Sequence, residues 1–152
     1  KLCPFTTALI KKFPEISSCM FSILAPGKQI PPHFGPFNGV LRFHLPLMVP
    51  PGERCALRIR KNLSSMYETL VWEMGRSFTF DDSFYHSARN DSDDIRVVLF
   101  IDVKRKVPWW LKFINNKAYK VVKRLFMLDS AAFLRAQEAK GHTTLGQLKV
   151  LN

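Results

Sequence analysis

A chain of 152 residues, 47% of them apolar, is long enough for one domain with a core of its own. No apolar run reaches the roughly 18 residues of a membrane-spanning helix, and three scattered cysteines (Cys3, Cys19, Cys55) with no CxxC pair argue for small thiols in a reducing compartment rather than a disulfide scaffold. The formal net charge of +11 calls for an acidic partner, and it is unevenly spread: from Lys104 onward eleven Lys/Arg stand against two acids, Asp129 and Glu138, whereas the first 103 residues carry a net of only +2.

Phe5 to Phe13 reads as a short amphipathic helix ended by Pro14. Short apolar or alternating runs follow, each closed by turn residues: Cys19–Ala25 before Pro26-Gly27, Gly39–Val49 before Pro50-Pro51-Gly52, then Cys55–Arg60, Thr69–Glu73, Ser77–Phe80, Phe84–Ala88 and Arg96–Val103. Between them His33 lies in a rigid segment, after Pro31-Pro32 and before Gly35-Pro36, that enters a strand. No helix of crossover length separates the runs, so an antiparallel sandwich or barrel is expected and a parallel α/β sheet is not. Thirteen Phe and three Trp suit such a core. After Pro108 the period changes. At about 100° per residue, Trp110, Leu111, Ile114, Ala118, Val121, Val122, Leu125 and Leu128 share one half of the wheel, while Lys112, Lys117, Lys120, Lys123 and Arg124 occupy the other. The expected organisation is a β core over 1–108 and a basic helical tail over 109–152.

Four histidines, His33, His44, His86 and His142, are the candidates for chemistry. Imidazole suits iron, and a site that activates oxygen needs two or three protein ligands with positions left open. A dicarboxylate cosubstrate needs a buried cation, for which arginine's planar fork is best suited. If 84–88 and 96–103 pair as a hairpin, Arg96 points into the same cavity as His86. The plainer readings stand beside these. A histidine near a turn is commonly structural, His44 suits a strand interior, Arg42 has acids to pair with, and Arg96 has Asp93, Asp94 and Asp102 nearby. His142 falls in a polar tail.

Two longer stretches carry more information. Phe21 to Gly27 followed by Pro32-His33-Phe34-Gly35-Pro36 through Leu45, and Phe80-Asp81-Asp82-Ser83-Phe84-Tyr85-His86 followed by Arg96 to Val103, resemble the two signatures of the aspartyl/asparaginyl β-hydroxylase family in order and spacing. The resemblance runs from about Leu2 to Pro108. It implies a double-stranded β-helix (jelly roll, cupin-like) core and an Fe(II)- and 2-oxoglutarate-dependent dioxygenase that hydroxylates an unactivated C–H with O2 as the second cosubstrate. By position, it implies His33 and His86 as iron ligands. Arg96 would hold the distal carboxylate of 2-oxoglutarate with Ser22 as helper, and Arg42 and His44 would lie near the cosubstrate's other end. Asp81 and Asp82 fit turn or supporting roles around His86. Gly35 stands two residues after His33, where many non-haem oxygenases carry an acid, so water or substrate would fill that coordination position. Pro46 and Tyr85 depart from the family's usual residues.

Substrate expectations follow the resemblance. Aspartyl or asparaginyl side chains of a polypeptide come first, and an acyl chain of a membrane lipid second, because the family includes bacterial lipid A acyl-chain hydroxylases. A non-catalytic cupin-like module on anionic membranes is the contrasting class. Trp109 and Trp110, with Lys117, Lys120 and Arg124 on the basic face, match an interfacial membrane helix, and a helix packed on the barrel with a solvated basic face is the alternative. Nucleic acid is not an expected partner, since no motif for it is present. The expected location is the cytoplasm, with a peripheral place at the inner face of a membrane. The chain opens at Lys1 without Met, so further N-terminal sequence is expected.

Overall fold

The computed structural model describes residues 3–139, with side chains through Leu125; His142 lies outside the described residues. The chain divides into two units, with the break between Lys104 and Arg105. The first opens with α1 (Pro4–Ile10), where Pro4 takes a first-turn position that needs no N–H and the Thr7 hydroxyl donates to the Cys3 carbonyl at 2.8 Å.

Eight strands follow: β1 (Ile16–Leu24), β2 (Gln29–His33), β3 (Val40–Met48), β4 (Cys55–Arg60), β5 (Glu68–Val71), β6 (Phe78–Phe80), β7 (Tyr85–Asn90) and β8 (Arg96–Lys104). They form two four-stranded antiparallel sheets, ordered β1-β8-β3-β6 and β2-β7-β4-β5. The chain crosses from one sheet to the other at nearly every connection, which is the winding of a double-stranded β-helix. Alternation supplies the core: Cys55, Leu57 and Ile59 of β4 point inward with Trp72, Phe80, Ala88 and Val98. Truncating a side chain as enclosed as Leu57 to Ala would cost about 2–5 kcal/mol.

One strand lies outside the expected runs, and one expectation needs correction. Residues 29–33 form a strand in spite of Pro31-Pro32. β2 is an edge strand, so the two missing N–H groups break only one ladder, and the register slips between Ile30 and His33 to absorb them. Residues 84–88 and 96–103 are not a hairpin. β7 belongs to one sheet and β8 to the other, and the chain crosses between them over 91–95. Asn90, fully buried, anchors that crossing by donating from its side-chain amide to the carbonyls of Leu24, Ala25 and Asp94 at 2.9, 3.2 and 2.8 Å.

The second unit contains α2 (Trp109–Ala139). It begins one residue after Pro108 and outruns the apolar stripe that ends at Leu128. Residues 129–139 lack that stripe but are dominated by Ala, Leu, Arg, Gln and Glu, all strong helix formers. Among the described residues no helix is long and apolar enough to cross a membrane.

Candidate functional site

The β2–β7 ladder sets His33 directly opposite His86. Their ring centroids lie 4.3 Å apart with planes tilted by 53°. Each Nδ1 sits against the carbonyl oxygen two residues back, His33 against Pro31 at 2.9 Å and His86 against Phe84 at 2.8 Å. A carbonyl only accepts, so each Nδ1 carries the proton and each Nε2 keeps its lone pair. Two adjacent acceptors have nothing to offer one another, and a cation satisfies both. Burial lowers the His86 pKa, with the Phe84 carbonyl opposing, so its ring is neutral as a metal ligand must be. His86 is buried and His33 exposed, so the pair spans the cavity wall and its rim. Among the described residues no third His, Cys, Asp or Glu joins them in a metal-binding cluster.

Behind the pair is a cavity of about 90 Å³ lined by His33, His86, Ser22, Arg42, His44 and Arg96 among others, so one space gathers side chains from β1, β2, β3, β7 and β8. Arg96 is 1% exposed. Its Nη2 donates to Ser22 Oγ at 3.3 Å and its guanidinium carbon lies 4.6 Å from the centre of the Trp72 ring. No carboxylate among the described residues pairs with it: Asp93 faces Arg54, and Asp102 faces Arg42 and accepts from Ser18 at 2.6 Å. Burial lowers Arg96 to about 10, which leaves it charged at neutral pH. A buried cation without a counter-ion at the wall of the cavity is a receptor for a carboxylate.

His44 is wired the other way. Trp72 Nε1–H donates to its Nδ1 at 3.2 Å, so the proton resides on Nε2, which is buried and has no protein partner among the described residues. Burial, reinforced by Arg96, Arg42 and His86, lowers His44 to about 3. It is therefore a permanently neutral donor, whereas His33 and His86 are acceptors. Arg42 lines the cavity and also has counter-ions, Asp82 at 2.9 Å and Asp102 at 3.3 Å, with its guanidinium 4.3 Å from the Phe100 ring centre. The approach to Asp82 is an ion pair without hydrogen-bond alignment, so both carboxylate oxygens stay short of donors. Burial raises the Asp82 pKa, and Arg42 opposes that.

Asp81 and Asp82 separate in role. Asp81 Oδ1 accepts from the Ser83 N–H at 3.1 Å and its hydroxyl at 2.7 Å, which ties the turn that delivers β7. Asp82 is 1% exposed, and its backbone oxygen accepts the Gly35 N–H at 2.7 Å. A Cβ on Gly35 would collide with Asp82 Oδ2, Cγ and backbone O. The space for a third, acidic side chain two residues after His33 is thus already filled by a carboxylate from another strand connection. Trp72 and the Gly35–Asp82 contact were not singled out from sequence. Both are long-range contacts, with no local period or motif to mark them.

In the second unit, Trp109 and Trp110 are exposed at the start of α2, as are Lys117, Lys120 and Arg124. Lys117 Nζ lies 5.4 Å from the Phe113 ring centre.

Comparison with known proteins adds to this geometry. The sequence profile of a family described as aspartyl/asparaginyl beta-hydroxylase matches residues 1–106. An ornithine lipid ester-linked acyl 2-hydroxylase of Rhizobium tropici is 41% identical over 116 residues, covering 76% of this chain and 39% of that protein. The Homo sapiens aspartyl/asparaginyl beta-hydroxylase is 39% identical over 108 residues, covering 68% of this chain and 13% of that protein. The chain thus spans well under half the length of these relatives. Among solved structures, a Pseudomonas putida prolyl-4-hydroxylase aligns with a TM-score of 0.47 at 17% identity, over 58% of this chain and 52% of that one.

Proposed function

The chain belongs to the aspartyl/asparaginyl β-hydroxylase family, and from that premise we propose that it is an Fe(II)- and 2-oxoglutarate-dependent hydroxylase of an unactivated C–H bond. The observation that carries this is the sorting of polar groups around one cavity: two imidazoles with free Nε2 lone pairs, one buried guanidinium with no counter-ion, and one imidazole with an unused Nε2–H. These residues fit the cofactor and cosubstrate. His33 and His86 would hold the iron, and only two protein ligands leave positions for 2-oxoglutarate and O2. Arg96, steadied by Ser22 and stacked on Trp72, would take the distal carboxylate. His44 Nε2–H and Arg42 would face the cosubstrate's other end, and His44 stays a donor because its Nδ1 is engaged by Trp72. Bound iron supplies the oxidising chemistry, coupled to conversion of 2-oxoglutarate to succinate and CO2. The chain orients the reactants and excludes water with Leu57, Phe80, Ala88 and Phe100 around the same cavity. Asp82, buried and short of donors, is available to accept a hydrogen bond from water at the site.

Two substrate classes follow from the relatives: aspartyl or asparaginyl side chains of a polypeptide, and an acyl chain of a lipid. The longer match to the acyl hydroxylase, and a tail that pairs an apolar helix face with a basic one, favour the acyl chain. On this reading the protein works at the cytoplasmic face of a membrane, and replacing Lys117, Lys120 and Arg124 with Gln weakens its binding to anionic liposomes. Unchanged liposome binding would remove the tail from the account. The function itself is tested by oxygen-dependent succinate release from 2-oxoglutarate with added Fe(II). Mass spectrometry of offered lipids and Asp/Asn peptides then identifies which one gains an oxygen. A folded, iron-supplied chain that releases no succinate contradicts the proposal.

A further inference from the structure

The imidazole pair belongs to a cross-strand row, His33–His86–Ile59–Glu68, that runs over β2, β7, β4 and β5. The next row along is Phe34, Tyr85, Arg60 and Tyr67. Tyr85 pairs with Arg60, Phe34 follows His33, and Tyr67 precedes Glu68. β2 ends at His33, β4 ends at Arg60 and β7 begins at Tyr85, so this row is the rim of the sheet beside the imidazoles, with alternation turning its side chains outward.

The rim is a stacked ladder. The Phe34 and Tyr85 rings lie 4.9 Å apart. The Arg60 guanidinium is held between Tyr85 and Tyr67, at 4.8 and 4.7 Å from the ring centres, and Arg58 lies 4.5 Å from Tyr67. Among the described residues neither arginine forms an ion pair, although Arg42, Arg54, Arg76 and Arg89 all do. Stacking on an aromatic face leaves a guanidinium's edge free of the ring; in Arg60 Nη1 donates to the Leu63 carbonyl and Nε is buried, so the remaining Nη hydrogens, with those of Arg58, are the ones left to meet an oxyanion. The segment from Arg54 to Tyr67 contains Arg54, Arg58, Arg60 and Lys61 and no acid. Its turn is ordered: Asn62 Oδ1 accepts from Ser64 N at 3.0 Å, and Arg60 Nη1 donates to the Leu63 carbonyl at 3.0 Å. That turn presents Leu63 at 64% and Met66 at 91% exposure, and Phe34, at the other end of the row, is 55% exposed. Cations flanked by large exposed apolar side chains are what an anionic bilayer surface receives, the guanidiniums at the headgroups and the apolar groups below them.

We propose that this rim, Arg58–Tyr67–Arg60–Tyr85–Phe34 with Leu63 and Met66, docks the mouth of the catalytic unit on an anionic lipid surface, so that lipid chains are presented to the cavity beside His33 and His86. The consequence for catalysis rests on the hydroxylase reading above; the docking does not. The test is co-sedimentation of the full chain with vesicles of phosphatidylcholine alone and of phosphatidylcholine with phosphatidylglycerol. Arg58→Gln/Arg60→Gln lowers partition onto the anionic vesicles by roughly 30-fold, since each basic residue at the surface contributes about a factor of five. Leu63→Ser/Met66→Ser weakens binding as well. Arg58→Lys/Arg60→Lys, which keeps charge and separates its loss from misfolding, retains most of it. Melting curves establish that each variant is folded. Wild-type partition in the Gln pair overturns the proposal. So does a Gln pair that keeps vesicle binding but loses an Asp/Glu-rich peptide probe, since the surface would then take a polypeptide. Inorganic phosphate at millimolar concentration that displaces the chain from vesicles also overturns it, in favour of a site for the free ion. Wild-type succinate release is read without vesicles: release without docking fails the rim alone, and docking without release fails the hydroxylase reading alone.

Discussion

Arg96→Met should leave the ligand-free protein as stable as wild type or more so, while removing its affinity for 2-oxoglutarate. Arg96 is 1% exposed and has no carboxylate partner among the described residues. Burial lowers it from the ordinary arginine value to about 10, a folding cost of about 3 kcal/mol at neutral pH, where both folded and unfolded chains carry the charge. The sign follows from proton counts. The unfolded chain holds its proton to a higher pH than the folded chain, so the penalty is complete below about pH 10 and fades as pH rises above it. The stack on Trp72 and the bond to Ser22 return about 1–2 kcal/mol, and methionine fills much of the same volume. The net expectation is a change between zero and about 2 kcal/mol in favour of the variant. Urea unfolding of both proteins without ligand measures it. The second half is read by melting with Mn(II) and 2-oxoglutarate. With Mn(II) present throughout, 2-oxoglutarate at a hundredfold excess over Kd adds about 2.7 kcal/mol to wild type beyond the metal's own effect, and adds nothing to the variant. A ligand-free variant more than about 2 kcal/mol less stable than wild type would refute the reasoning, because Arg96 would then be holding the fold together rather than waiting for a carboxylate.

Two further predictions address the surroundings of the site. Gly35→Ala should destabilise by about 1–3 kcal/mol through collision with Asp82. Adding Asp82→Ala should recover part of that, with a coupling of at least about 1 kcal/mol by urea unfolding, and strictly additive effects would show that the two residues do not compete for space. For His44, the folded value of about 3 lies below the ordinary histidine value of 6.5, so the unfolded chain binds more protons between them. Stability from this group is complete above pH 6.5 and is lost as pH falls toward 3. From pH 6.5 to 5, wild type should lose about 2 kcal/mol more than His44→Phe. Asp82, raised by burial, titrates in the opposite sense, but it is common to both proteins and drops out of the difference. A pH-independent difference would mean that His44 accepts a proton inside the fold.

The β core was legible because its strands alternate and are closed by Gly and Pro, and the motif around His33 and His86 marked the two residues that the β2–β7 ladder sets opposite each other. What sequence hid has physical causes. Two prolines disguised β2, since the rule against proline in strands does not hold at an edge. Arg96 reaches the cavity from the opposite sheet, not from a hairpin partner of β7, because alternation along either strand aims a side chain inward and cannot say which sheet it comes from. The tautomer of His44 depends on Trp72, 28 residues away, and the need for glycine at position 35 depends on Asp82, 47 residues on, whose carboxylate fills the space a side chain would take. Both are properties of packing and leave no mark on local pattern. α2 runs on to Ala139 on helix propensity after its apolar stripe has ended at Leu128.

The central claim is that His33 and His86 hold an iron that couples 2-oxoglutarate to C–H hydroxylation. It is tested most directly by succinate release under air from the full chain with Fe(II) and 2-oxoglutarate, wild type against His86→Ala, each shown to be folded. Wild type should release succinate, and the variant should lose at least about a hundredfold of that rate. Release by the variant at the wild-type rate, or none from iron-supplied wild type, would contradict it.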